Sequence, residues 1–463
     1  MSTYGACDPL STPGYLRLNL TDPHSTHWVP LAAPSHIDAS DDEATIAAKK
    51  RRDVCLAQVP DYVGELWRFT HGDDNPMPHF TMQGIAPYHL ILHAPPDLRT
   101  PTLDASNVTV LASGKKSKGD DPLHFLRGKP KRPRTILLLG DSVDRNGLVH
   151  FCQLAGRNVS LATYRDANLH PPLPPVWMDL SKQHPPTQFD GWDQRGLPHM
   201  CDIFRHEDTV PDDEPYATDD NEESRIWAAS STARGRGKRG ATPALRVVNG
   251  FHYGLDELDE FNTPDRTDWH GPGKIESRID RLFIPFLEQI GGTDNVDLIQ
   301  LQSGMWDLAL WGFQDDKVAW SIAEPLSPEQ LAWWQERMRA IIFHLRLTFP
   351  RARIILRMQH RTDDNDPAKR YITNLRAHQI RHLQRELARV EQLPVFDYGH
   401  VFEGYQVFQD HVHPHMNPGG VLYATNLLNQ LRIAVEQKDS WQFPAIPRPS
   451  LRLFREAVSA FTE

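Results

Sequence analysis

The chain has 463 residues, 39% hydrophobic and 24% charged, enough for a full α/β domain with its own core plus extensions or insertions. A net charge of −10 and a sequence pI near 6.1, with basic residues scattered rather than gathered into a stripe, argue against a nucleic-acid partner. No apolar run approaches the roughly 20 residues needed to span a bilayer, and Met1-Ser2-Thr3-Tyr4-Gly5 lacks the basic and apolar regions of a signal peptide.

Residues 1–133 are rich in Pro, His, Asp and Ser, with short apolar pieces such as 88–92. They are expected to form an irregular, partly β region that wraps the main domain. Asn19-Leu20-Thr21, Asn107-Val108-Thr109 and Asn158-Val159-Ser160 have the form of glycosylation acceptors. The four cysteines, Cys7, Cys55, Cys152 and Cys201, have no C-x-x-C spacing, and an even count permits two disulfides. The favoured pairing is Cys7 with Cys55 and Cys152 with Cys201; the other connectivities and free buried thiols stay open. Acceptor triplets and cysteines point to a secretory lumen or the extracellular space, while the N-terminus keeps a cytoplasmic location open.

The main domain is expected over residues 134–440. It opens on Thr135-Ile136-Leu137-Leu138-Leu139, a short apolar run of the kind that makes a buried parallel strand. Residues 144–154 then carry apolar side chains at helical spacing. Further strands are expected at 245–248, 296–301, 353–356 and 395–396, and helices at 275–289, 328–347, 368–390 and 418–435. Strands alternating with helices predict a three-layer α/β/α fold with a central, mostly parallel sheet. Near 205–243 an acidic stretch followed by Arg234-Gly235-Arg236-Gly237-Lys238-Arg239 breaks the pattern and reads as a surface insertion. Residues 170–175 read as an extended Pro-rich loop, and 441–463 as a C-terminal extension.

Gly140-Asp141-Ser142 stands between the first apolar strand and a helix, which puts Ser142 at the carboxyl end of a strand, where open α/β sheets build their sites. A serine needs a general base, and the base an orienting acceptor. Asp410-His411-Val412-His413, followed by Pro414-His415, supplies both: Asp410 can accept from one ring nitrogen of His413 while the other takes the serine proton. The same Asp410, His411, His413 and His415 also have the look of a metal site, the alternative reading. Gln302-Ser303-Gly304-Met305-Trp306-Asp307 follows a predicted strand on the same sheet edge. Either Gly304, Trp306 and Asp307 wall an oxyanion or acyl pocket, or Trp306 packs and Asp307 caps the next helix.

Ser142 early, Asp410 and His413 late and a strand-end glycine loop between them resemble the SGNH/GDSL hydrolase superfamily. More narrowly, Gly140-Asp141-Ser142-Val143-Asp144-Arg145-Asn146 is similar to the GDS-x-x-R-N signature of the PC-esterase branch, which includes trichome-birefringence-like O-acetyltransferases. The Gly304-Met305-Trp306-Asp307 loop is similar to the W-D loop of the same branch.

The resemblance implies an SGNH-hydrolase-like fold and a serine acyl-enzyme mechanism without a cofactor. It also implies an O-acyl ester, an acetyl ester above all, of a carbohydrate or glycoconjugate as substrate, with an acyl donor if the protein is a transferase. Trp306 stands where the superfamily has its oxyanion asparagine, so the donors expected are the backbone N–H of Ser142 and of a glycine, Gly250 first and Gly254 second, with the Asn249 side chain beside them. Arg145 is expected either to steady the acyl group or substrate or to be a salt-bridged structural arginine. Trp177, Trp192, Trp269 and Trp306 are candidates for stacking on sugar rings. A catalytically inactive carbohydrate-binding protein on the same fold is the other alternative.

Overall fold

The computed structural model describes residues 8, 10, 14–17, 27–31, 35–57, 59–75, 121–128, 132–157, 159–161, 198–211, 235–238, 241–257, 274–317, 324–362, 372–401, 408 and 412–437. Asp410, His411, Cys7, the side chain of Cys55, the three acceptor asparagines and Trp177, Trp192 and Trp269 lie outside the described residues.

In chain order the strands are β1 (Gly14–Arg17), β2 (His27–Pro30), β3 (Arg134–Gly140), β4 (Ser160–Leu161), β5 (His199–Ile203), β6 (Thr209–Pro211), β7 (Gly235–Gly237), β8 (Leu245–Phe251), β9 (Val296–Leu301), β10 (Arg353–Arg357) and β11 (Val395–Phe396). The main sheet runs β11-β10-β9-β3-β8-β5-β4. From β11 to β8 every pairing is parallel, and β5 then pairs antiparallel with β8 and β4 with β5. This is the central, mostly parallel sheet expected, with β3 in its middle.

Successive side chains on a strand point to opposite faces, so a strand covered on both sides must be apolar throughout. β3 meets that demand: Ile136 and Leu138 belong to one core, Leu137 and Leu139 to the other. The helices are α1 (Glu43–Ala57), α2 (Tyr62–His71), α3 (His124–Arg127), α4 (Ser142–Leu154), α5 (275–289, with a π-helical stretch Ile279–Phe283), α6 (Met305–Lys317), α7 (Pro328–Thr348), α8 (Asn374–Glu391), α9 (Tyr398–Val401) and α10 (Val421–Glu436). The first core packs side chains of α2, α4 and α10 on the sheet, and the second those of α5, α6, α7 and α8. The result is three layers, α/β/α.

Three boundaries differ from the sequence expectation. The N-terminal region contains regular helix: α2 is capped by Asp61, which accepts from Gly64 N at 2.8 Å, and Tyr62, Val63, Leu66 and Phe69 recur at helical spacing inside the first core. β8 runs on through Asn249 and Gly250 to Phe251, because Val248 is followed by residues that keep pairing with Leu138, Leu139 and Gly140. α8 begins at Asn374, where the Thr373 side chain accepts from the Arg376 amide.

Of the insertion near 205–243, its two ends pair as the antiparallel β6–β7 ribbon, and 212–234 lie outside the described residues. Cys152 of α4 is bonded to Cys201 of β5, Cα to Cα 5.9 Å. Among the described residues no helix is long and apolar enough to cross a membrane.

Candidate active site

β3 ends at Gly140, Asp141 caps α4 by accepting from Val143 N at 2.8 Å, and Ser142 is the first residue of that helix. The turn is tight because Gly140 has no Cβ; one placed there would stand 1.8 Å from Oδ2 of Asp144. Ser142 is half-buried at the carboxyl edge of the sheet, at the amino end of a helix, where a developing negative charge is favoured.

Facing it is His413, half-buried on the segment before α10, with Nε2 2.7 Å from Ser142 Oγ. That is the distance at which a serine hydroxyl donates to an imidazole that will take its proton. Two contacts tie the histidine segment to the rest. Asn146, one helical turn after Ser142, makes a long 3.4 Å hydrogen bond from Nδ2 to Pro414 O, and His360 Nε2 lies 2.8 Å from Val412 O. His150, a further turn along α4, is pushed down to about 3 by burial and by the nearby His415 and His413, so it is a neutral ring. Among the described residues no three acid, histidine or cysteine side chains are placed to hold a metal ion.

Beneath the serine is a buried polar cluster that sequence reasoning did not anticipate. Arg357, the last residue of β10, grips Asp144 through Nε–Oδ1 at 2.7 Å and Nη2–Oδ2 at 2.8 Å. Gln300 Nε2 and Tyr423 Oη donate to Asp144 Oδ1 at 2.9 and 2.8 Å. Burial pushes Asp141 up to about 6; the nearby Arg357 guanidinium, 3.7 Å from Oδ1, works against that rise and Asp144 adds to it. The available signal was a polar residue inside an apolar strand: Gln300 in β9 and Arg357 ending β10 could not be buried without partners.

The remaining candidates fall into two groups. Asn249 and Gly250 are ladder residues, opposite Leu138 and Leu139, so Asn249 lies about 7 Å and Gly250 about 3 Å short of the strand end at a rise of roughly 3.3 Å per residue. The Asn249 amide donates to Leu138 O at 3.3 Å, and Gly250 faces the Phe283 ring, within the distance a Cβ would need. Both lie in the paired part of β8, which runs three residues beyond the expected 245–248. Gly254, at φ +86°, donates its amide to Nδ1 of His252 at 3.1 Å, while His252 Nε2 donates to Gln302 O at 2.8 Å. Burial pushes His252 down to about 4, which keeps one ring nitrogen an acceptor.

Asp307 is fully buried and accepts from Ser303 Oγ at 2.5 Å, Leu255 N at 2.7 Å and Trp334 Nε1 at 3.2 Å. It pins the loops after β8 and β9 to each other and to α7. Gly304 abuts Oε1 of Gln359, where a Cβ would come within 2.5 Å. Trp306 and Arg145 are both half-buried against Phe251. Trp306 is edge-to-face with Phe251 at 6.1 Å and with Tyr253 at 5.1 Å, and the Arg145 guanidinium lies 6.0 Å from the Phe251 ring centre. Phe251 pairs with Gly140, so this aromatic wall adjoins the serine turn.

No protein-family model matches the chain, and no curated protein matches it. Among solved structures it is similar to a protein described as a GDSL-like lipase from Parabacteroides merdae, at 14% identity, 66% of this chain, 97% of that chain and TM-score 0.29. It is also similar to the lipase/acylhydrolase from Enterococcus faecalis, at 16% identity, 67% and 100% coverage and TM-score 0.26. A peptidoglycan O-acetylesterase is similar at 11% identity, 69% and 95% coverage and TM-score 0.31.

Proposed function

We propose that the protein is a serine-dependent acyl esterase or O-acyltransferase of the SGNH type, with Ser142 as nucleophile, His413 as general base and Asp410 as the acceptor that orients His413. The observation that carries this reading is the 2.7 Å separation of Ser142 Oγ and His413 Nε2 at the carboxyl end of a central parallel strand. His413 takes the serine proton as Oγ attacks an ester carbonyl; the alcohol leaves with that proton, and the acyl group stays on Ser142. The helix-start amide of Ser142 faces the oxyanion. Water then releases the acid in an esterase, and a sugar hydroxyl accepts the acyl group in a transferase; the acyl-enzyme is common to both.

The substrate we assign is an O-acetyl ester of a carbohydrate or glycoconjugate, with Trp306 and Arg145 as the residues that meet it. The Cys152–Cys201 bond is compatible with an oxidising compartment. Labelling of the protein by a fluorophosphonate, lost in Ser142→Ala and indifferent to chelator, is the result expected, alongside aryl acetate turnover. An intact protein that takes no label removes the nucleophile assignment, and turnover that survives Ser142→Ala but not chelator replaces it with a metal site around Asp410, His411, His413 and His415. Secretory expression is expected to add glycosidase-removable mass at Asn19, Asn107 or Asn158.

A further inference from the structure

A dyad needs its two members held at hydrogen-bond distance, and here they sit on elements of unequal stiffness. Ser142 starts a 13-residue helix on the central strand, whereas His413 lies just before the Met416–Gly420 turn, outside the sheet and the long helices. Something else has to fix it.

We propose that His360 is the positioning residue for His413, and that the carboxyl end of β10 sets the Ser142–His413 separation by gripping both sides of the dyad. Resting on the acyl-transfer reading above, this assigns to β10 a task that neither Ser142 nor His413 can perform for itself. On one side Arg357 holds Asp144, two residues after the serine, in the bidentate pair at 2.7 and 2.8 Å. On the other, three residues further along, His360 Nε2 meets the carbonyl of Val412, the residue before His413, at 2.8 Å.

A carbonyl only accepts, so Nε2 of His360 carries the proton. Burial pushes the ring down to about 3, with Arg357, His413 and Arg361 lowering it too and the Val412 bond opposing, so the donor is a neutral imidazole. The ring is itself clamped. Phe408 stacks on it at 5.8 Å and 24°, Tyr398 meets it edge-on at 5.7 Å, and Phe408 forms a bridge with Pro414 on the far side of His413. The chain is therefore held before His413 by the buried His360 ring and after it by the bridge from Phe408, the residue stacked on that ring, to Pro414.

The test compares His360→Phe, which keeps an aromatic ring but removes the donor, with His360→Gln, whose amide restores a donor at a similar reach. Aryl acetate turnover, fluorophosphonate labelling and hydrogen exchange of the 408–415 segment are measured well below the melting temperature of each. A misplacement of about 1 Å costs on the order of 100-fold in rate, so His360→Phe is expected to lose roughly 10- to 100-fold in kcat with KM within about twofold. His360→Gln is expected to recover most of it. Unchanged kcat in His360→Phe overturns the proposal. If the wild type itself takes no label, the acyl-transfer reading fails, and the clamp is judged by exchange alone: faster exchange at 408–415 in His360→Phe but not in His360→Gln upholds it, and equal exchange in all three proteins overturns it.

Discussion

Arg357 and Asp144 form a buried bidentate ion pair across 213 positions of sequence, directly below the serine turn. Burial works against the guanidinium's charge, but the carboxylates of Asp144 and Asp141 and the hydrogen bonds to Asp144 more than offset it and raise its pKa. Gln300 and Tyr423 complete the shell around Asp144. A pair of this kind is weak evidence of net stabilisation, yet breaking it is costly, since the survivor is left charged and unpaired.

Arg357→Met is therefore expected to lose about 3–5 kcal/mol of unfolding free energy, measured by urea denaturation. Adding Asp144→Leu to it should recover a large part of that loss, because the stranded charge goes with it. A double variant less stable than Arg357→Met alone would contradict the pairing.

Ser142 and His413 should behave as one unit. Ser142→Ala and His413→Ala are each expected to lower aryl acetate kcat by about 10⁴-fold or more, and the double variant to be no worse than the slower single one. Additive losses in the double-variant kinetics would separate the two residues.

Asp307 makes a contribution of definite sign to the pH dependence of stability. Burial pushes its carboxyl from 3.8 up to about 6, against the three hydrogen bonds it accepts. Between those values the folded protein holds a proton that the unfolded chain has released, so this group's contribution falls as pH rises from about 4 to 6. A shift of roughly two units corresponds to about 3 kcal/mol. Melting curves of the wild type relative to Asp307→Asn should show that downward slope; parallel curves from pH 4 to 7 would refute it.

Trp306 is the aromatic whose removal should discriminate between substrates. Trp306→Ala is expected to raise KM for an acetylated saccharide about 2- to 10-fold more than for an aryl acetate, the worth of one ring contact. Equal changes in KM for the two esters would take Trp306 out of substrate recognition.

Much of this architecture follows from local patterns. The all-apolar run Ile136 to Leu139, a glycine, then a capping aspartate and helical spacing specify a buried strand turning sharply into a helix, and the same alternation repeated along the chain specifies a parallel sheet between two helical layers. Local pattern also leaves α2 readable in retrospect, since Asp61 and the spacing of Tyr62, Val63, Leu66 and Phe69 are a helix start and an apolar face.

What only the tertiary structure decided are pairings between distant residues. The motifs name Ser142 and His413, but the 2.7 Å between them, the pairing of Asp144 with Arg357 and the hold of His360 on Val412 are settled by packing of whole layers, which no window of neighbouring residues encodes. The end of β8 is another such case. The apolar run stops at Val248, but continued pairing with Leu138, Leu139 and Gly140 carries Asn249, Gly250 and Phe251 into the ladder, because a strand ends where its partners end.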